Sequence, residues 1–311
     1  MRTATVIRLL TVGLMVIGLT PGRAAAGITF PHYRAVPITS PDGGNVWARA
    51  MNDRAQVIGS VYPESGQPHG FFWQNGWMTS ILSPQPQCPL AYPVDINNHG
   101  QVVGFLSNDS DGSVPCNVFL WERGRLTDLG FQSSTLLSIN DRGQITGSEG
   151  LWHNDHMTRL PGSPSDINNR GQVAGVMDVN GAPGAFLWQR GRYRTLTAPG
   201  SEILDVVDLN DRGWVLGIDY TAGGALLWNP QLAYLGISGE VRALNDAGLV
   251  VGTTWDSDFT PRGLLWRAGH VADLTALGGP AFPSDINDRG QILGDVWVPE
   301  GSGLTAVFYP I

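Results

Sequence analysis

Ser165-Asp166-Ile167-Asn168-Asn169-Arg170-Gly171-Gln172-Val173-Ala174-Gly175 decides the fold of this 311-residue chain, because the chain repeats it. An aliphatic residue, Asn, then Asp or Asn, any residue, usually Gly, and a second Gly four positions on recur around seven asparagines: Asn52, Asn97, Asn140, Asn168, Asn210, Asn245 and Asn287. Their spacings of 45, 43, 28, 42, 35 and 42 residues suit one small antiparallel sheet per copy. Within a copy, Asn-Asp-x-Gly reads as a hairpin turn, since the Asx side chain bonds its own backbone and Gly supplies a positive φ. The turn joins a short strand, Ser165-Asp166-Ile167, to a second, Gln172-Val173-Ala174-Gly175.

Working outward, a third apolar strand ends in an aromatic, Phe186-Leu187-Trp188, and a glycine turn leads to a fourth, Tyr193-Arg194-Thr195-Leu196. Equivalent third strands end at Trp73, Trp121, Trp152, Trp228, Trp266 and Tyr309. Four short strands per unit of about 40 residues predict an all-β, seven-bladed β-propeller with four-stranded antiparallel blades. The seventh unit stops at Tyr309 without a fourth strand, while Tyr33-Arg34-Ala35-Val36-Pro37-Ile38 precedes the first unit as an orphan. The N-terminal strand is therefore expected to complete the last blade and close the ring, which removes free sheet edges. An open β-solenoid is the rival architecture.

Ile-Asn-Asp-x-Gly-Gln-Val-x-Gly followed by Phe-Leu-Trp-x-x-Gly resembles the extracellular HAF-repeat family, over nearly the whole chain after its first 26 residues. The triplet that names the family is degraded here, to His69-Gly70-Phe71, Gly184-Ala185-Phe186 and Thr305-Ala306-Val307. The resemblance implies an exported propeller; it implies no reaction.

Residues 1–26 read as a signal peptide: Arg2 and Arg8, an apolar run from Leu9 to Leu19, and Ala24-Ala25-Ala26 at the cleavage site. Residues 27–311 then form one propeller domain, secreted to the periplasm or beyond, a monomer with no membrane span. A formal net charge of −8 at pH 7 argues against nucleic acid, and no lysine is present for Schiff-base or P-loop chemistry. Forty-one glycines and 21 prolines favour a turn-dense chain over a helical one.

Turns between strands one and two and between three and four are short and repeated, so they define one face. The other connections are irregular: Tyr62–Pro68, Leu82–Tyr92, Ser107–Cys116, Met177–Pro183, Ile218–Gly223, Thr253–Pro261 and Trp297–Gly303. Variable loops on a rigid scaffold are where binding residues concentrate. Tyr62, Tyr92, Tyr220, Trp255, Asp256 and Trp297 are the candidate ligand contacts, with Phe259 and Asp258 beside them. Cys88 and Cys116 are the only cysteines and are expected to form a disulfide worth about 3 kcal/mol. Asn108, Asp109 and Asp111, ahead of Gly112, resemble a weak Ca2+ loop, or a plain polar turn; no other cofactor is indicated. His153 and His156 form an isolated pair without a third ligand.

Two positions before the repeat asparagine stand Asp95, Asp166, Asp208 and Asp285, replaced by Ala50, Ser138 and Ala243 in the other copies. On channel-lining strands these four would make a partial acidic ring able to hold a cation; alternatively each binds backbone amides of a neighbouring strand. No catalytic motif is present. The reading favoured by the sequence is a secreted binding or scaffold module engaging a glycan or another exported protein through the loop face. Two others stay open: a polysaccharide hydrolase or lyase using channel carboxylates, and an envelope protein without a ligand.

Overall fold

The computed structural model describes residues 28–110, 112, 115–133, 137–148, 150–198, 200–201, 204–237, 239–296 and 303–311. The signal-peptide reading lies outside these residues. The chain forms seven four-stranded antiparallel sheets, each a simple meander, arranged as a seven-bladed β-propeller. Blade four consists of Ser163–Ile167, Gln172–Val179, Ala182–Gln189 and Arg192–Leu196. The last blade takes three strands from the C-terminus, Phe282–Ile286, Ile292–Val296 and Leu304–Pro310, and its outermost from the N-terminus, Tyr33–Pro37. Tyr33 pairs with Pro310 and Pro37 with Ala306, so the ring closes as the complementary chain ends require.

Apolar residues alternate along the strands and pack between blades rather than in one central core. Seven hydrophobic clusters result among the described residues; for example, Ala174, Ala185 and Leu187 of blade four meet Leu204, Leu209, Val215 and Trp228 of blade five. Most of the tryptophans that end the third strands are buried there, as at Trp73, Trp188 and Trp228.

Two local devices recur. In six blades the register between the first two strands slips by one residue just before the repeat turn, as between Pro164 and Asp166. Such a bulge turns the following side chain toward a new direction. In these blades the first strand also runs against the glycine that ends the repeat: a Cβ on Gly175 would stand 2.1 Å from Ser163 O.

The connection expected to loop irregularly from Met177 to Pro183 is instead a tight hairpin. Strand two runs on to Val179 and strand three begins at Ala182, with Asn180 and Gly181 at φ of 57° and 82° between them. Two consecutive positive φ values give the turn whose twist matches paired strands, and Asn-Gly is its preferred sequence.

Candidate functional site

Each repeat asparagine builds its own turn. Asn168 Oδ1 accepts from the backbone N–H groups of Arg170 and Gln172, while its Nδ2 donates to Gln172 Oε1. The same Nδ2 donates to Asn210 O of the next blade at 2.9 Å. This interblade bond repeats in every blade: Asn52 to Asn97, then through Asn140, Asn168, Asn210, Asn245 and Asn287, whose Nδ2 returns to Asn52 O. A second closed ring lies beside it. The N–H of the residue after each asparagine donates to the side-chain Oδ1 of its counterpart one blade on, at 2.6–2.9 Å.

These rings surround a central channel that encloses about 200 Å³. Asp95, Asp166, Asp208 and Asp285 all line it. Each binds backbone on both sides of a blade boundary: Asp166 accepts from its own Ile167 N–H and from Leu209 N–H of the next blade. Asp95 clasps Ile139, Asp208 clasps Leu244, and Asp285 clasps Met51 across the ring closure. Ser138 substitutes by donating its hydroxyl to Asp166. Of the two readings of these carboxylates, the structure displays the backbone clamp. Among the described residues no group of three His, Cys, Asp or Glu side chains is placed to hold a metal ion.

The channel strongly perturbs these acids. Burial pushes Asp95 up to about 6 against the hydrogen bonds from Ile139 and Ile96 that favour its charge. Burial, with the charges of Asp95 and Asp166 adding, raises Asp285 to about 7, and burial with the neighbouring Asp166 holds Asp208 well above the carboxylate range. Burial also lifts Asp246, and lifts Asp288 to about 6 at the channel mouth.

The opposite face carries the connections between strands two and three and between blades. It holds a groove of about 710 Å³ at the ring closure, between blades seven and one. Trp47, Phe282 and Leu304 give it apolar surface, and Asn45, Ser40 and Asp295 give it polar groups. Trp47 is 68% exposed, and its ring lies 5.6 Å from that of Tyr62. A smaller hollow of about 310 Å³ between blades five and six is lined by Tyr220, Glu240 and Arg242.

The loop residues named from sequence thus divide. Tyr62 borders the large groove through Trp47, Tyr220 lines the small hollow, and Trp255 is exposed without lining either. Asp256 secures its own loop, its Oδ1 accepting from Asp258 and Thr260 N–H; these bonds and Arg262 hold its carboxyl below the usual range. Tyr92 requires a correction. It is buried, its ring stacked 5.5 Å from Phe105 and its hydroxyl donating to Asp109 O, so it supports the Asn108 loop and offers no surface to a ligand. Asp109 accepts from Ser107 Oγ. Trp297 and Asp111 lie outside the described residues.

Cys88 and Cys116 are joined as expected, tying the segment that enters blade two to the blade's third strand. His153 and His156 face each other across a hairpin.

Sequence reasoning missed two groups. Trp47 and Phe282 stand five positions before their repeat asparagines, as does Tyr92, so aligning the repeats exposes them as a set. Asp219, buried in blade five, accepts from Thr221 and Ala222 N–H, Ser201 Oγ and Tyr234 Oη. Burial opposes its charge, but these bonds prevail and hold it low.

No protein-family model matches the chain, and no curated protein sequence matches it. Solved structures do. The β-propeller domain of the trilobed protease from Pyrococcus furiosus, described as having an open velcro topology, aligns at TM-score 0.59 and 10% identity over 89% of this chain and 95% of that one. Virginiamycin B lyase from Staphylococcus aureus aligns at TM-score 0.57 and 14% identity over 90% of this chain and 99% of that one. At such identities the likeness is one of fold. No helix among the described residues is long and apolar enough to cross a membrane.

Proposed function

We propose that this chain is an exported binding module of the HAF-repeat type that engages a glycan, or a short segment of another exported protein, through its loop face. The reading is carried by the groove at the ring closure. Its volume of about 710 Å³ suits a ligand of several sugar rings rather than a protein surface. Trp47 presents an indole face on which a pyranose can stack, and Asn45, Ser40 and Asp295 surround it with donors and acceptors. The carboxylates needed for a hydrolase or lyase are, by contrast, bonded to backbone amides deep in the channel. The disulfide accords with an oxidising compartment.

Thermal unfolding against a panel of polysaccharides tests this, since a ligand that binds only the folded state raises the midpoint. A hit is expected to weaken about tenfold on Trp47→Ala, the loss of roughly 1.4 kcal/mol of aromatic contact. A hit that ignores Trp47→Ala, or a panel without any hit, refutes the groove as the seat.

A further inference from the structure

On the face opposite the groove, the outer edge of blade four carries a charge pattern unlike the rest of the molecule. Arg190-Gly191-Arg192-Tyr193-Arg194 forms the turn and final strand of this blade, and every residue in it is exposed. Arg170, also exposed, occupies the inner turn of the same blade, and Gln189 Nε2 donates to its carbonyl, joining the two turns. No carboxylate lies within ion-pair reach of any of these four arginines among the described residues; most arginines of the chain share that, and what sets this edge apart is that three of them, Arg190, Arg192 and Arg194, stand on one hairpin.

The sequence around the hairpin also lacks acid. No Asp or Glu occurs between Asp178 and Glu202, so the hairpin itself is free of acid; the turn at Arg170 is not, since Asn169 beside it donates from its N–H and its Nδ2 to the Asp211 carboxylate of the next blade. In a chain of net charge −8, three guanidinium groups on one rigid hairpin, without an ion-pair partner among the described residues, are a local exception. Arg192 and Arg194 lie on the same side of the outermost strand, and Tyr193, 52% exposed, on the other.

We propose that this edge binds an acidic polysaccharide, one whose sugars bear carboxylate groups. Guanidinium groups recognise carboxylates through paired, charge-assisted hydrogen bonds, and Arg192 and Arg194, on one side of the strand, present two of them to the same chain. Arg170 and the Arg190–Arg194 hairpin are separated by about two strand spacings, roughly 10 Å. That extended track matches a linear chain with charges at intervals better than a single small anion. An anionic bilayer fits less well, because interfacial binding needs Trp, Phe or Leu inserted beside the basic groups, and this hairpin supplies only a tyrosine. The site is independent of the groove, so either can fail while the other stands.

The test measures binding of the whole protein to polygalacturonate, to neutral dextran and to vesicles containing phosphatidylglycerol, at 50 mM and 200 mM salt. Polygalacturonate is expected to bind, and to weaken several-fold at the higher salt. Arg190→Asn with Arg192→Gln and Arg194→Gln should reduce binding at least thirtyfold; Asn is chosen because Arg190 has a φ of 50°. Arg170→Gln alone should reduce it several-fold, while Arg262→Gln, on the loop face, should leave it unchanged. Equal binding of dextran, binding of vesicles without polygalacturonate, or retention of affinity by the triple variant at an unchanged melting midpoint would each overturn the proposal.

Discussion

Asn168→Asp isolates what the asparagine ring contributes, because it changes one NH2 to oxygen in a site that is 4% exposed. The carboxylate keeps both bonds that shape the turn, from Arg170 and Gln172 N–H. It loses the two bonds that Nδ2 donates, to Gln172 Oε1 and Asn210 O. Gln172 can rotate its amide and donate in return, but the Asn210 carbonyl cannot turn away and is left facing a buried negative charge. An unsatisfied buried acceptor costs about 1–3 kcal/mol, and burying the charge adds to it, giving about 3 kcal/mol at pH 8. For a domain of this size that corresponds to a fall of roughly 6–9 °C in the unfolding midpoint.

The loss should depend on pH. A protonated carboxyl again donates to Asn210 O, so the folded-state pKa of the new group is raised above its unfolded value of about 3.9. Stability from that proton is complete below the unfolded pKa and disappears as pH rises through the folded one. Relative to wild type measured at the same pH, the deficit at pH 5 should therefore be less than half that at pH 8. Asn169→Asp, which introduces the residue five other blades carry, should cost under about 1 kcal/mol. Scanning calorimetry at the two pH values reads all of this. A fall of less than 2 °C for Asn168→Asp at pH 8, or an equal deficit at both pH values, refutes the interblade role.

The remaining predictions concern the wild-type electrostatics and the disulfide. Asp95, Asp285 and Asp288 titrate near 6 to 7 and Asp208 is also raised, so the folded state holds protons that the unfolded chain releases near pH 4. The midpoint should fall between pH 4 and 7 and flatten above; a midpoint that rises across this range contradicts the channel assignment. Below pH 4 the sign reverses, because Asp128, Asp219 and Asp256 have lowered values and lose their stabilising charge as pH falls. Replacing Cys88 and Cys116 by Ser releases a loop of 28-residue separation and should cost about 3 kcal/mol, seen as a lower midpoint that reductant no longer affects.

How much of this was legible beforehand follows from what a repeat can encode. Seven copies of one turn and four strands fix the blade, and the unmatched strands at Tyr33 and Tyr309 fix the closure, since only pairing them completes the count. The clamp role of Asp166 and its equivalents stayed open because it depends on the bulge at Pro164, which no residue in the repeat announces. Tyr92 and Trp47 show the limit most directly. They occupy the same position relative to their asparagines, yet Tyr92 is covered by the Asn108 loop and Trp47 is exposed beside the seam. Which of them faces solvent is set by the neighbouring connection, and those connections are the segments that do not repeat.

A closed ring of equivalent contacts also constrains where recognition can arise. The asparagine bonds, the neighbouring Asx bonds and the interblade clusters recur around the axis, so none of them distinguishes one blade from another. A ligand that binds once must use a departure from that symmetry. The seam is one departure, because there the first-strand Trp47 meets a blade assembled from both ends of the chain. Blade four is another, because it alone carries the three-arginine hairpin. The two lie on opposite faces, so occupation of one does not obstruct the other. Were both proposed sites occupied at once, the protein would join a glycan at its seam to a second, acidic polymer on its arginine edge, a linking role that neither site would provide alone.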